Sequence, residues 1–114
     1  MKRFPSIKNN QDFQAVYQGG KSYANKQLVM YIKKTDNPGS RIGISVSKKV
    51  GNSVIRHRLV RLLRESFRLH LDELETGLDI VAVVRPAAKE AEYKTIERAF
   101  LHLCGLHNIL KESK

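Results

Sequence analysis

Residues 47–68, SKKVGNSVIRHRLVRLLRESFR, decide how this chain folds. The stretch holds seven Lys and Arg residues and one His, against a single acid, Glu65. Asn52 or Ser53 can cap a helix that the pattern extends to about Leu71. At about 100° per residue, one stripe lies within about 80° of Ile55 and comprises Ile55, Leu59, Leu62, Leu63, Ser66 and Leu69. The sequence therefore predicts a helix that packs against a core through one face.

The opposite face of this helix carries a row of cations. Between about 180° and 240° from Ile55 lie His57, Arg61, Arg64 and Arg68, with Arg56 and Arg58 on the shoulders. Glu65 is expected to pair with Arg58 or Arg61. Lys48, Lys49 and Asn52 precede the helix, where free backbone N–H groups favour an anion. Because Arg presents a fork of donors that matches phosphate oxygens, the row predicts nucleic-acid binding; the alternative is an ordinary solvated face.

The segments on either side of the basic helix predict a sheet. Residues 26–34 and 41–49 alternate as two strands and are expected to form an antiparallel hairpin. Residues 78–85 are apolar on both faces, which suits a central strand, and can pair in parallel with residues 41–47 across the helix. Helices are predicted at 9–20, with Asn9 or Asn10 as cap, and at about 90–110.

The order of elements is helix, strand, strand, helix, strand, helix. It predicts an α+β fold, a two-layer α/β sandwich with one mixed sheet covered by helices on one side. The 114 residues show no linker, so one domain, 1–114, is expected. Lys and Arg number 21 against 11 acids, a formal charge of +10 that favours a polyanionic partner.

The location of the protein is predicted from its cysteine content and its N-terminus. Cys104 is the sole cysteine, which excludes an internal disulfide and favours a reducing compartment. No secretory signal is seen, and the longest apolar run, residues 80–84, is too short to span a bilayer. We expect a cytoplasmic protein.

Aromatic residues in the first third of the chain suggest a second binding surface. Phe13 and Tyr17 share a helix face, and Tyr31 lies on the more polar face of its strand. Gly43 and Ser45 on the neighbouring strand have small side chains and leave room above it. These rings can therefore line a shallow groove bordered by Lys33 and Lys8. The alternative for Phe13 and Tyr17 is that they are ordinary core residues.

Side chains for hydrolytic or metal chemistry are not clustered in the sequence. Asp72, Glu73 and Glu75 fit a solvated turn better than a metal site. Cys104 and His107 supply two ligands at i,i+3, fewer than a zinc site needs, and His102 lies on another face. We therefore predict no catalytic side chain and no protein-bound metal.

Three kinds of partner fit these patterns. They are a structured RNA, duplex DNA entered by helix 53–70 of a regulator, and an anionic membrane surface. The membrane alternative fails if the Leu stripe covers the sheet, because the stripe cannot then enter lipid. RNA and DNA remain open on charge and spacing.

The basic stretch resembles the signature of the bacterial ribonuclease P protein subunit, Lys-Lys-x-Gly-Asn-Ala-Val-x-Arg-Asn-Arg-x-x-Arg-x-x-Arg. The matching residues are Lys48, Lys49, Gly51, Asn52, Val54, Arg56, Arg58, Arg61 and Arg64. The resemblance extends to residues 12–31 and to the order of elements. One position departs from it, because His57 stands where the family has Asn. His lacks the paired oxygen and nitrogen of an Asn amide, so His57 cannot make the bidentate contact that Asn can make.

The resemblance implies a protein that assists a catalytic RNA in removing the 5′ leader from precursor tRNA, without a further protein partner. It implies that Mg²⁺ is bound mainly by the RNA subunit. By motif, the RNA-subunit contacts would be Lys48, Lys49, Asn52, Arg56, Arg58, Arg61 and Arg64, with His57 and Arg68 completing the row. The leader cleft would comprise Phe13, Tyr17, Tyr31 and Lys33. The family fold also implies a left-handed strand–helix–strand crossover, whereas general rules favour a right-handed one.

Overall fold

The computed structural model describes residues 6–111. In chain order its elements are α1 (Asn10–Gly19), β1 (Lys21–Ala24), β2 (Leu28–Lys34), β3 (Arg41–Val46), α2 (Ser53–His70), β4 (Leu78–Val84) and α3 (Tyr93–Leu106). Single 3₁₀ turns follow α2 and β4. The predicted caps are correct: the side chains of Asn9 and Asn52 accept hydrogen bonds from the backbone N–H groups of Asp12 and Ile55. The α+β class with a mixed sheet is confirmed.

The four strands form one sheet in the order β1-β2-β4-β3. β4 is central and runs parallel to β3, with Ile42 opposite Ile80, so the predicted crossover pair is confirmed. The predicted hairpin of β2 with β3 is wrong, because β4 lies between them and pairs antiparallel with β2. β4 buries both faces, and a central place satisfies that best. The short link from Lys34 to Arg41 needs to cross only about 10 Å to skip one strand.

β2 also pairs antiparallel with β1, the strand that precedes it in the chain. The sequence did not predict β1. Tyr23 lies opposite Met30, and every β1 residue is exposed, so the strand has no apolar alternation to reveal it. Asn25 closes the turn: its Oδ1 accepts from the backbone N–H groups of Gln27 and Leu28 at 3.2 and 2.9 Å. The hairpin of the fold is therefore β1–β2.

The main core lies between one sheet face and the helices α2 and α3. Met30, Ile80, Phe67 and Phe100 are all buried in it. Leu69 was expected in the α2 stripe but is 51% exposed, whereas Phe67 is buried. The buried face of α2 is therefore centred near Leu63, about 60–80° round the helix from Ile55, because the helix packs against α3 as well as the sheet.

The first helix packs on the other face of the sheet. Val16 of α1 is fully buried against Ile7 and Val81, in a smaller cluster separate from the main core. The sequence predicted helices on one side of the sheet only. This holds for α2 and α3, but α1 lies on the other side. α1 thereby packs over β2 and β4 on the second sheet face.

Candidate nucleic-acid interface

The basic row lies on the solvent side of α2. His57, Arg61, Arg64 and Arg68 are all exposed, and the opposite face of the helix is held by Leu59 and Leu63, both fully buried. Successive members of the Arg61, Arg64 and Arg68 row are separated by about 4.5–6 Å along the helix axis. Lys48 and Lys49 are exposed in the turn between β3 and α2. The core thus fixes the direction in which the cations point.

Local pairing within the row differs from the expectation for Glu65. Its carboxylate accepts from Arg68 Nε at 3.0 Å and from Arg68 Nη2 at 2.7 Å, so the predicted pairing with Arg58 or Arg61 is wrong. This bidentate bond lowers the pKa of Glu65 and raises that of Arg68. Arg58 instead donates from Nη2 to the backbone oxygen of Ala91 at 2.7 Å. Through this bond Arg58 also joins α2 to the segment before α3.

Three aromatic rings meet where α1 approaches the sheet. The ring centroids of Phe13 and Tyr17 are 6.4 Å apart, and those of Tyr17 and Tyr31 are 4.9 Å apart in an edge-to-face pair. All three rings are half-buried against the smaller core cluster. Lys33 follows on the same strand face, with its side chain running beside Gly19. The structure therefore brings together all four residues predicted for the cleft.

The strand residues beneath these rings are arranged in rows by the sheet register. Tyr31 lies opposite Val81, which lies opposite Gly43; one step along, Val29, Val83 and Ser45 form the next row. Gly43 is required here, since a Cβ atom would stand 2.7 Å from Phe13 Cζ. We call the surface formed by Phe13, Tyr17, Tyr31 and Lys33 the aromatic cleft.

An ion-pair cluster that sequence reasoning missed fastens α1 beside the aromatic cleft. Arg41 donates to Asp79 from Nε at 3.0 Å and from Nη2 at 2.7 Å, and to Asp12 from Nη1 at 3.3 Å. The bonds to Asp79 are the main cause of a raised pKa for Arg41. An Asp inside the apolar strand β4 was the one available signal, because a buried carboxylate needs a partner.

The residues considered for metal binding occupy structural positions. Burial raises the pKa of the Cys104 thiol to about 12. His107 Nε2 lies 2.8 Å from the backbone oxygen of Met30, so that nitrogen carries the hydrogen and donates. Within residues 6–111 the His, Cys, Asp and Glu side chains form no group of three that could hold a metal. The expected absence of a protein-bound metal stays a prediction.

The membrane-surface alternative fails, because Leu59 and Leu63 of the α2 stripe are buried in the main core and cannot enter lipid. None of the helices in the described part of the chain combines the length and apolar content of a membrane span.

The fold and these two surfaces define a small, strongly basic α+β nucleic-acid-binding protein, with a cationic helix on one side and a cleft of aromatic rings on the other. The model of the ribonuclease P family matches residues 1–107. The chain belongs to this family of ribonuclease P protein components.

Several proteins of this family are similar to the chain along most of its length. The ribonuclease P protein component of Lachnoclostridium phytofermentans is 53% identical over 109 residues, covering 96% of this chain and 94% of its own. That of Alkaliphilus metalliredigens is 54% identical over 97 residues, covering 85% and 87%. The solved structure of the Staphylococcus aureus protein is 34% identical with a TM-score of 0.88, covering 96% of this chain and 100% of its own. The Thermotoga maritima structure is 29% identical with a TM-score of 0.80, covering 86% and 93%.

The role that the sequence indicated is therefore confirmed. The chain is the RNA-binding protein component of a ribonucleoprotein endoribonuclease that processes tRNA, and it works with an RNA subunit and precursor tRNA. The DNA-binding regulator receives no support from these relatives.

Proposed function

We propose that residues 1–114 act as one RNA-binding domain that divides its two RNA contacts between two surfaces. The basic surface around α2 holds the catalytic RNA through Lys48, Lys49, Asn52, Arg56, His57, Arg58, Arg61, Arg64 and Arg68. The aromatic cleft holds the single-stranded 5′ leader of precursor tRNA. The observation that carries this division is that α2 and the rings of Phe13, Tyr17 and Tyr31 pack on opposite faces of one sheet.

The chemistry of each surface suits its proposed partner. A folded RNA presents closely spaced phosphates, and a rigid helix with Arg61 and Arg64 on successive turns offers planar forks to them. Arg68 carries its own counter-charge in Glu65 and contributes less. A single-stranded leader presents unpaired bases, which stack on aromatic rings with little regard to sequence. Lys33, beside the rings, supplies a cation for the leader backbone.

Cleavage itself is assigned to the RNA subunit. In this proposal the RNA subunit would hold most of the Mg²⁺, which would supply an activated water for hydrolysis of the phosphodiester. No side chain of the chain is given a catalytic role. The protein raises the affinity of the ribonucleoprotein for precursor tRNA through the leader, and it acts in the cytoplasm.

Reconstitution tests the proposal. Purified protein, catalytic RNA and the two together are incubated with precursor tRNA at physiological Mg²⁺. We expect no cleavage from protein alone and efficient release of the leader from the mixture. Efficient cleavage by protein free of RNA would overturn the assignment of the chemistry to RNA.

A matched pair of variants tests the α2 surface. Arg61→Gln with Arg64→Gln removes two charges from the row, and Lys34→Gln with Lys111→Gln removes two exposed charges outside the row, at the end of β2 and beside Glu73. The first pair should flatten the salt dependence of catalytic-RNA binding by about 0.7–0.9 of a logarithmic unit for each phosphate contact removed. Equal slopes for both pairs would show that the row is an ordinary solvated face.

A further inference from the structure

The outer face of α2 carries a shallow, open depression among its cations. Its lining side chains are Val54, His57, Val60, Arg61 and Arg64. Val54 is 76% exposed, the largest exposure of any large apolar side chain in residues 6–111. Val60 is half-buried, yet neither valine packs against a core cluster of the described chain. We call this feature the α2 depression.

The stability of α2 does not explain the two valines. Valine is a poorer helix former than alanine or leucine, because its branched side chain loses rotamer freedom against the preceding turn. The start of the helix is fixed without Val54, since the Asn52 side chain accepts a hydrogen bond from the backbone N–H of Ile55 at 3.0 Å. A single exposed valine would need no explanation, but an apolar strip rimmed by charged groups indicates contact with a partner.

His57 occupies the centre of the α2 depression. On a helix, residues three and four positions apart are neighbours, so Val54 and Val60 flank His57 on its two sides. The imidazole is exposed, and among residues 6–111 it makes no hydrogen bond or ion pair. Its ring is therefore available to a partner, with an apolar neighbour on each side.

The chemistry of the α2 depression suits a nucleobase better than a phosphate. Valine methyl groups offer no donor to phosphate oxygens, whereas methyl groups and an imidazole face offer contact area to the flat face of a base. In RNA, unpaired bases that are splayed out of a helix stack on His as they do on other aromatic side chains. Arg61 and Arg64 line the same depression and can bond the phosphates beside such a base. The apolar and cationic groups together match one unpaired nucleotide.

We propose that the α2 depression binds one unpaired base of the catalytic RNA, stacked on the His57 ring between Val54 and Val60. The inference rests on the proposed function, which assigns α2 to that RNA, and it adds a base contact to the phosphate contacts of the row. It also gives a role to the one position that departs from the family signature. The imidazole of His57 gives up the bidentate contact of an Asn amide and supplies a stacking face.

Substitutions at position 57 separate stacking from phosphate binding. His57→Phe keeps an aromatic face but cannot bond a phosphate, whereas His57→Ala and His57→Asn remove the ring. We expect His57→Phe to bind the catalytic RNA about as tightly as the parent, and the other two variants to bind about 5- to 150-fold more weakly, the range for one base–aromatic stack. Urea unfolding should be unchanged in all three, because the side chain is exposed. Binding by His57→Phe as weak as that of His57→Ala would contradict the inference.

The apolar contact is tested at Val54 against a matched control. Val54→Ala removes two carbon atoms from the proposed contact and should weaken binding of the catalytic RNA by up to about 15-fold. Leu69→Ala truncates a side chain that is 51% exposed on α2 but lies outside the depression, and it should keep the parental affinity. Parental affinity in both variants would show that no base contacts Val54.

A crosslink locates the base, and a double-mutant cycle tests the contact. Val54→Cys carries a photoreactive aryl azide, and Leu69→Cys is the control position. Buried Cys104, with its thiol pKa raised to about 12, should not react with the reagent. We expect a crosslink from position 54, and none from position 69, to one unpaired nucleotide of the catalytic RNA. Removing the base of that nucleotide should weaken binding of the parent and leave the affinity of His57→Ala unchanged. Fully additive losses would contradict the stack.

The outcomes distinguish this inference from the proposed function. If Arg61→Gln with Arg64→Gln weakens binding of the catalytic RNA while His57→Ala binds like the parent, the α2 depression holds no base and the proposed function stands. If the arginine pair also binds like the parent, both fail. A crosslink from position 54 to precursor tRNA alone, in the reconstituted ribonucleoprotein, would contradict the assignment of the base to the catalytic RNA.

Discussion

The contact between Gly43 and the Phe13 ring above it sets the shape of the aromatic cleft most directly. A Cβ atom at this position would stand 2.7 Å from Phe13 Cζ, 2.9 Å from Phe13 Cε1 and 3.2 Å from Ile7 Cβ. Favourable carbon contacts begin near about 3.5 Å. Gly43→Ala must therefore lift the ring of Phe13, and with it the edge of α1, by up to about 1 Å.

The expected magnitude combines two opposing effects. Overpacking of this kind costs about 1–3 kcal/mol, and replacing Gly by Ala inside a strand returns about 0.5–1 kcal/mol, which leaves a net loss of about 1 kcal/mol for mid-range values and about 2.5 kcal/mol at most. For a chain of this size a net loss of about 1 kcal/mol should lower the midpoint of thermal unfolding by about 4 °C. The same displacement should reduce the preference for substrates that carry a leader.

Urea unfolding measures the loss of stability. The affinity for precursor tRNA with and without its leader measures the loss of preference for the leader. Gly39→Ala is the control, because a Cβ atom there would meet no atom within 4 Å. Adding Phe13→Leu, which shortens the obstructing ring, should recover part of the loss caused by Gly43→Ala. A Gly43→Ala protein as stable as its parent, with unchanged preference for the leader, would refute the reasoning.

Three further predictions concern single side chains. Tyr31→Ala should weaken binding of precursor tRNA by about 1–3 kcal/mol and leave the binding of mature tRNA unchanged. The control Tyr23→Ala, on the β1 edge against His107, should affect neither. Equal losses on both substrates would show that Tyr31 is structural. Glu65→Gln removes the carboxylate charge from Arg68, so the salt dependence of catalytic-RNA binding should steepen by up to about 0.9; an unchanged slope would place Arg68 outside the interface. Hydrogen bonds to Glu97 and then Glu73 raise the pKa of His70, so its stabilisation is complete below about pH 6.5 and is lost as pH rises through the folded-state pKa. Urea titrations from pH 6 to 9 should show this decline in the parent and a flatter profile in His70→Gln, and identical profiles would contradict it.

Local sequence patterns predicted the elements that carry the basic row and the aromatic cleft. The helix α2, its cap Asn52 and the outward direction of Arg61 and Arg64 follow from helical spacing and one side-chain hydrogen bond. The strand face of Tyr31 follows from simple alternation. These features depend on neighbours within a few residues, which is why one sequence suffices to predict them.

Features that depend on distant partners were not predictable in the same way. β2 pairs with β4 and not with β3 because the central place buries both faces of β4. The paired residues are about fifty positions apart in the chain. Packing against α3 turned the buried face of α2 toward Phe67 and exposed Leu69. Beside α1, Arg41 meets Asp12 and Asp79, which lie 29 and 38 residues away in the chain. Each of these outcomes was selected by tertiary contacts rather than by local propensity.

The division of RNA contacts between the two sheet faces is tested most directly by one crossed binding measurement. Arg61→Gln with Arg64→Gln, and separately Tyr31→Ala, are each measured for affinity to the catalytic RNA alone and, after reconstitution, to precursor tRNA with and without its leader. We predict that the α2 variant loses affinity for the catalytic RNA in a salt-dependent manner, and that Tyr31→Ala keeps that affinity and loses the contribution of the leader alone. Parallel losses of both affinities in both variants would contradict the assignment of separate partners to the two faces.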